Sequence, residues 1–470
     1  MDLDGTLLRG DSLWESLAQL LRKQPATLLL RAPFWLLRGR AGFKAAIADR
    51  VQPDARHLPY SEDVLSYVRQ ARADGRRVVL ASASDRRVVA AVADHLGLFD
   101  DVIGTEANVN CSGRAKLAAI RERAGGDGFE YIGNSGVDVP IWERAQVATV
   151  ASPTSAARRW AAGQSPEPRM IPGATEPLWR SILGELRPHQ WAKNALLFAP
   201  LLLAHQLADP GRLRAVIVAF VSFCAIASAG YVVNDLVDVD ADRRHPTKRL
   251  RPIATGALPM PIALALIAGL LASGFAISLS FVSLAATGML AAYLALTLCY
   301  SFYFKRQLLL DVLVLAGLYT HRVLTGGVAA EVPVSPWLLA FSTFFFLSLA
   351  LVKRYVELLE ARELEREHIE RRAYQVADLG LVETMGLSCG YIAVLVLCLF
   401  VSSDDVSRLY SAPVLLWLMC PVMLYWISRI WFLARRGELH DDPVLFATRD
   451  RISFVCGVLV LAVVLAATVL

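Results

Sequence analysis

Asn234, Asp235, Asp238 and Asp242 can all bind a metal, and they fall within nine residues of one another in the stretch GYVVNDLVDVDADRRHPTKRLRPIATG, residues 230–256. Basic residues follow at once: Arg243, Arg244, Lys248, Arg249 and Arg251. Spacings of three, four and seven put Asp235, Asp238 and Asp242 on one face of a helix. Like charges stacked in this way repel and weaken a helix, so a compensating cation is expected. Mg²⁺ takes carboxylate oxygens and is commonly shared with substrate phosphates, which points to a Mg²⁺–diphosphate site. The plainer alternative is a solvated helix end with charge pairs. It explains neither the clustering nor the position, which is the end of an apolar segment long enough to cross a bilayer.

Other polar side chains interrupt apolar runs: Lys193 and Asn194, Tyr300 and Lys305, Asp311 and Arg322, and Lys353 with Arg354. Ionisable groups inside a membrane are costly and by default functional. For Lys305, Lys353 and Arg354 the alternative is topogenic charge that only sets orientation. Asp311 and Arg322 lie 11 residues apart, three helical turns, and so share a face directed into the bundle. That separation is too great for direct contact, although a structural role in buried ion pairs stays open.

These residues must be positioned by at least two domains, because 470 residues exceed one ordinary domain. The chain is 55% hydrophobic and 19% charged, with mean hydropathy +0.44, values that indicate a membrane class. The net charge of +5 is unevenly spread and says little before topology is known; no nucleic-acid partner is expected. Seven cysteines are scattered without a CxxC, which argues against a zinc site or a disulfide framework. About nine spans of roughly 20 residues are expected, centred near residues 201, 223, 270, 293, 317, 343, 393, 422 and 461. Connections after the even-numbered spans are rich in Lys and Arg, including RRHPTKRLR, FKRQ and VKRYVELLEARELEREHIERR, and those after the odd-numbered ones are not. By the positive-inside rule, an odd span count puts the N-terminal domain and the Asp-rich run together on the cytoplasmic side of the plasma (inner) membrane. The N-terminus, MDLDGTLLRGDS, has acidic residues where a signal peptide has basic ones and no apolar core. Residues 1–150 read as α/β, with short apolar runs at 77–81 and 129–132 and a wholly helical insert at 11–75. Residues 151–185 read as a linker ending in an amphipathic interfacial helix, and 186–470 as the membrane domain.

The N-terminal motifs resemble the haloacid-dehalogenase-like phosphatase superfamily. Asp2-Leu3-Asp4-Gly5-Thr6 is similar to its DxDGT motif, Ser82 to the second motif, Lys116 to the third and residues 133–138 (GNSGVD) to the fourth. The resemblance implies an α/β Rossmann-like fold with a helical cap. Asp2 would be the nucleophile that becomes a phosphoaspartate, and Asp4 the proton shuttle. Ser82 and Lys116 would hold the phosphoryl oxygens, with Asp2, Asp4, Asn134 and Asp138 around Mg²⁺. Asn134 stands where the family usually has Asp, and only Met1 precedes the first motif. An active phosphatase and a degenerate regulatory domain therefore both stay open.

The membrane half, about residues 180–470, resembles the UbiA superfamily of intramembrane prenyltransferases, an all-α polytopic fold. NDLVDVDAD followed by RPIATG is similar to that family's first Asp-rich motif. CYSFYFKRQLLLDV takes the place of the second conserved region but has one Asp and a Lys, where enzymes using isoprenyl diphosphate usually have a second Asp cluster. LRPHQWAKN, NDLVDVDADRRHPTKRLRP, YSFYFKRQLLLDV, HRVLTGGVAAEVPVS and VKRYVEL resemble, in order, the decaprenyl-phosphate phosphoribosyltransferases. This implies a phosphoribosyl diphosphate donor and a polyprenyl phosphate acceptor. Asn234, Asp235, Asp238 and Asp242 would hold Mg²⁺ on the leaving diphosphate, with Asp235 and Asp238 as its catalytic centre. Lys248, Arg249 and Arg251 would meet the donor's phosphates. Lys193, Lys305, Arg322, Lys353 or Arg354 would hold the acceptor phosphate, and Asp311 a ribose hydroxyl or a lysine. Arg187, Gln190, Asn194 and Tyr300 complete the substrate-binding set. The alternatives are an aromatic prenyltransferase and a lipid-phosphate carrier. The oligomeric state is left open, a homo-oligomer included.

Overall fold

The computed structural model describes residues 1–469 apart from 107–109, 127, 174–176, 366, 368–371, 404–405, 407–408 and 440–441. Parts of the charged connections counted above lie outside the described residues. The chain divides into two compact units, Met1–Leu186 with Val232–Leu266, and Arg187–Tyr231 with Ile267–Leu470.

The first unit is built on short parallel strands. β1 (Val79–Asp85) pairs with β2 (Asp101–Thr105). β3 (Glu130–Gly133), β4 (Val147–Ala151) and β5 (Arg169–Ile171) pair in that order. Residues 1–3 join the two sheets: Ala81 N donates to Met1 O and Asp2 N donates to Ile132 O, each at 2.8 Å. The place of a first strand is thus taken by the motif itself, and Asp2 is set between β1 and β3. Leu3, Leu80, Val89, Val92, Ile132 and Ala151 form the buried core, as parallel strands covered on both faces require. Helices α4 (Glu62–Ala73), α5 (Arg86–Leu96), α6 (Arg114–Ala124) and α7 (Val139–Trp142) belong to this α/β body. The helical insert is shorter than the expected 11–75: it comprises α1 (Ser12–Lys23), α2 (Pro25–Leu36) and α3 (Gly39–Ala48), with its own apolar cluster of Leu20, Trp35, Ala46, Ile47 and Val51. Ala55, Leu58 and the apolar face of α4 pack instead into the α/β core.

The α/β body extends past the boundary at residue 150. α8 (Ser155–Ala162), capped by Thr154, and β5 lie in the expected linker. A three-residue strand flanked by Pro, Ser and Gly has no periodicity to reveal it, so this stretch read as unstructured. α9 (Leu178–Leu186) is the expected amphipathic helix.

Among the described residues, eight helices are long and apolar enough to cross a membrane, one fewer than expected. The first expected span is instead a run of 3₁₀ turns, Pro188–Phe198, and a five-residue helix α10 (Ala199–Leu203). Pro188 and Pro200 each lack a backbone donor, and the polar residues between 189 and 194 leave too short an apolar run. With eight such helices rather than nine, the span count no longer assigns a side to the N-terminal domain. The helices that remain are α11 (Pro210–Arg244), α12 (Met260–Phe281), α13 (Leu284–Phe302), α14 (Leu310–Ala330), α15 (Pro336–Glu363), α16 (Leu379–Val401), α17 (Met419–Arg435), the short α18 (Pro443–Arg449) and α19 (Arg451–Val469).

Candidate functional site

The Asp-rich run forms the last turns of α11. Asp235 and Asp242 are both buried, two turns apart on one face. Arg251 bridges them, its Nη1 2.9 Å from Asp235 Oδ1 and 2.6 Å from Asp242 Oδ2. Burial works against the charge of Arg251, but these carboxylates hold its pKa above the usual value. The compensating cation demanded by the stacked acids is therefore a guanidinium in this arrangement. Lys248 and Arg249 lie exposed in the 3₁₀ turn Lys248–Leu250. Asp238 and Asn234 are half-buried on the same helix. Carboxylates with an adjacent amide are hard oxygen donors and fit Mg²⁺. Among the described residues, no three His, Cys, Asp or Glu side chains converge at metal-ligand distance; between Asp235 and Asp242 lies the guanidinium of Arg251.

The N-terminal motifs converge at the ends of β1 and β3. Lys116 Nζ donates to Asp2 Oδ1 at 3.0 Å and lies 3.6 Å from Asp138 Oδ1. Burial pushes the Asp2 carboxyl up to about 7, with Lys116 opposing and Asp138 and Asp4 adding to the rise. Asp4 Oδ2 accepts from Ser82 Oγ at 2.9 Å and Ser84 Oγ at 2.8 Å. Asp138 accepts from the Tyr131 hydroxyl, the Ser135 hydroxyl and the backbone N–H groups of Asn134 and Ser135. It is thereby fixed as the anchor of the fourth motif. Asn134 packs on the first motif, where a Cβ on Gly5 would come within 2.2 Å of its Nδ2. Gly5 has φ +72°, so both space and backbone conformation call for glycine there. An oxygen set of carboxylates plus the Asn134 amide suits Mg²⁺. Ser84 and Lys44 are additions that no motif signalled. Lys44 Nζ, from the insert helix α3, donates to Ala83 O at 2.6 Å.

In the second unit the candidate cations separate into two groups. Lys193 Nζ lies 2.9 Å and Lys353 Nζ 3.4 Å from Asp442 Oδ2. Burial would raise the Asp442 carboxyl, but the two ammonium groups hold it well below the usual range. Arg322 adjoins this group: its Nε donates to Asn194 Oδ1 at 2.9 Å and its Nη2 to the Tyr293 hydroxyl at 3.0 Å. Arg322 and Lys193 both face the ring of Tyr319. Arg187 stacks on Tyr231, and Gln190 is half-buried in the same 3₁₀ run.

The second group surrounds Asp311. This carboxylate and Arg354 are both fully buried, with Arg354 Nη2 3.0 Å from Asp311 Oδ2. The contact is out of line for a hydrogen bond, so charge holds it. Asp311 Oδ1 accepts from the Tyr374 hydroxyl at 2.7 Å, and Arg354 also meets Glu357. Arg372 donates to the Tyr300 hydroxyl and to Lys305 O, each at 3.1 Å. Asp311 and Arg322, expected to share a face without touching, indeed have separate partners. Sequence reasoning missed Asp442, Tyr319, Tyr374 and Arg372. For Asp442, Asp-Pro at the head of α18 was a usable signal of an N-cap, and its side chain does accept from Val444 N.

The UbiA prenyltransferase family model matches residues 195–455, and the haloacid dehalogenase-like hydrolase model matches residues 1–143. The y4nM protein of Sinorhizobium fredii is 38% identical over 461 residues, covering 98% of this chain and 89% of that protein. Nodulation protein NoeC of Azorhizobium caulinodans is 40% identical over 276 residues, 57% of this chain and 87% of NoeC. The decaprenyl-phosphate phosphoribosyltransferase of Mycolicibacterium smegmatis is 40% identical over 200 residues, 41% of this chain and 62% of that enzyme.

Proposed function

The chain belongs to the UbiA prenyltransferase family, and from that premise we propose that it transfers 5-phosphoribose from 5-phosphoribosyl 1-diphosphate to a polyprenyl phosphate. We further propose that its N-terminal domain then removes the 5-phosphate. An acceptor phosphate oxygen attacks ribose C1 as the C1–O bond to diphosphate breaks, and diphosphate leaves with the electron pair. A phosphate dianion is already a nucleophile, so no general base is needed. Asn234, Asp235, Asp238 and Asp242 would hold Mg²⁺, which supplies positive charge where the leaving diphosphate gains negative charge. Arg251, Lys248 and Arg249 bind the donor's phosphates, with guanidinium suited to bidentate contact. Lys193, Lys353 and Arg322 bind the acceptor phosphate. The Lys- and Arg-rich connections RRHPTKRLR and FKRQ support a cytoplasmic face for this chemistry.

In the N-terminal domain, Asp2, Asp4, Asn134 and Asp138 are the residues proposed to hold Mg²⁺. Asp2 attacks phosphorus, and the departing 5-hydroxyl takes a proton from Asp4. Water then cleaves the phosphoaspartate and returns a proton to Asp4. Ser82 and Lys116 bind the phosphoryl oxygens.

The observation that supports this reading over aromatic prenyl transfer is the state of Asp311. It is the carboxylate of the second conserved region, and it is buried against Arg354 and Tyr374. Its charge is therefore committed, which leaves one acidic cluster for the leaving diphosphate and separate cations for a second phosphate. The test is to incubate membranes containing the protein with phosphoribosyl diphosphate and polyprenyl phosphate. A new acid-labile glycolipid is expected from wild type and not from Asp235→Ala. Full activity in a folded Asp235→Ala variant would sink the assignment, as would prenylation of an aromatic acid in its place.

A further inference from the structure

Helix α1 connects two chemistries within the first unit. At its start Ser12 N donates to Asp4 Oδ1 at 2.7 Å and Ser12 Oγ to Ser84 Oγ at 2.7 Å. One turn on, Glu15 accepts both Nη atoms of Arg243, at 2.9 and 2.8 Å, and both side chains are only 6% exposed. In the last turn, Arg22 Nη1 lies 2.7 Å from Asp240 Oδ2. The Nε of Arg243 donates to Ala254 O at 2.9 Å. One guanidinium thus ties α1, the end of α11 and the turn after it. That turn carries Arg251, the side chain lying between Asp235 and Asp242. Gly256, at its close, abuts Arg9, where a Cβ would come within 3.0 Å of the arginine's own Cβ.

We infer that α1, although part of the phosphatase-like insert, is a structural component of the transferase's donor site, with Glu15 as a positioning residue acting through Arg243. A bidentate carboxylate–guanidinium pair fixes orientation as well as distance. Inside the protein, a partner left alone is an uncompensated buried charge. Removing the Glu15 carboxylate frees Arg243, and with it the 251–256 turn and the register of Arg251 against the two acids. Such misplacement of a phosphate ligand lowers donor binding more than acceptor binding. The inference rests on the Asp-rich segment being the donor site. It does not depend on the N-terminal domain being an active phosphatase, and it gives the fusion a purpose even if that domain is silent.

The test uses the full-length protein in detergent or vesicles, with Glu15→Gln, Arg22→Gln and, as a control on an exposed position of the same helix, Lys23→Ala. For Glu15→Gln, KM for phosphoribosyl diphosphate is expected to rise at least about tenfold, while KM for polyprenyl phosphate stays within about twofold. Trypsin cleavage in the 248–250 turn, a readout independent of turnover, is expected to accelerate by a similar factor. Arg22→Gln, at the more exposed pair, should shift both in the same direction by a smaller factor, and decides the matter if Glu15→Gln does not fold. Pairing Glu15→Gln with Arg243→Gln removes both charges and should be no worse than either alone. Unchanged donor KM and unchanged cleavage would overturn the inference, as would parallel rises in both KM values. Wild-type protein that does not turn over phosphoribosyl diphosphate would instead refute the proposed transfer, and the cleavage rates would still decide the role of α1.

Discussion

Asp442 shows how a single side chain can organise a site that the sequence presents only as scattered charge. Two lysines within 3.4 Å of one carboxylate oxygen would repel each other without it. The Tyr319 hydroxyl donates to the other oxygen at 3.4 Å. Lys193, Lys353 and Asp442 should therefore act as one unit. In a double-mutant cycle, Lys193→Ala with Asp442→Ala is expected to cost less transfer activity than the sum of the two singles, with a coupling of about 0.5–3 kcal/mol. Strict additivity would remove Asp442 from the site. Because its carboxyl is held below the usual range, its contribution is complete above the ordinary carboxyl pKa of about 3.9 and fades only as pH falls toward the lowered value. Transfer measured between pH 5 and 8 should accordingly show no acid limb from this residue. The lysines were legible as candidates because they interrupt apolar runs. Their partner was not, because the Asp-Pro pair that marks Asp442 signals only a helix N-cap and nothing in its local sequence ties it to lysines far back along the chain.

At the scale of elements, the long helices, the helical insert and the Asp-rich helix end could be read from hydropathy and charge spacing. What escaped was set by backbone geometry. The 3₁₀ run Pro188–Phe198 carries Lys193 and Asn194, and it is seated against α14 by a close approach at Gly326. A Cβ there would lie 2.0 Å from Leu197 O and 2.7 Å from Leu197 C. Those are main-chain atoms, which cannot swing aside as a side-chain tip can. Gly326→Ala is expected to lower the thermal midpoint in detergent, in line with an overpacking cost of about 1–3 kcal/mol, and to loosen the Arg322–Asn194 contact. Gly317→Ala, on the same helix with nothing within 4 Å of its Cβ position, should be neutral or slightly stabilising, since alanine is the better helix former. Equal midpoints for the two variants would show that the seat is not as tight as described. No hydropathy window could have shown this, because the constraint lies between two backbones.

At the scale of the whole molecule, one chain joins a multi-pass UbiA-family enzyme to a haloacid dehalogenase-like region, and the y4nM relative aligns along 98% of this chain, so it shares both halves. Tethering two sites makes the second encounter intramolecular, at an effective concentration that short connections bring to about millimolar. If the N-terminal domain acts on the lipid product, its advantage comes from that tether, and it should be lost when the two activities sit on different chains. Asp2→Asn is expected to make the glycolipid but leave the 5-phosphate on it, visible as a mass greater by one phosphoryl group. Asp235→Ala should make none. Mixing vesicles that carry Asp2→Asn with separate vesicles that carry Asp235→Ala should yield 5-phosphorylated lipid that persists, because the product cannot leave its bilayer. Placing both variants in the same vesicle should restore dephosphorylation, more slowly than wild type at equal protein. The same fully dephosphorylated lipid from Asp2→Asn alone would assign the phosphatase step elsewhere. Persistence of the 5-phosphate in wild type would make the N-terminal region a scaffold for the donor site rather than a second enzyme.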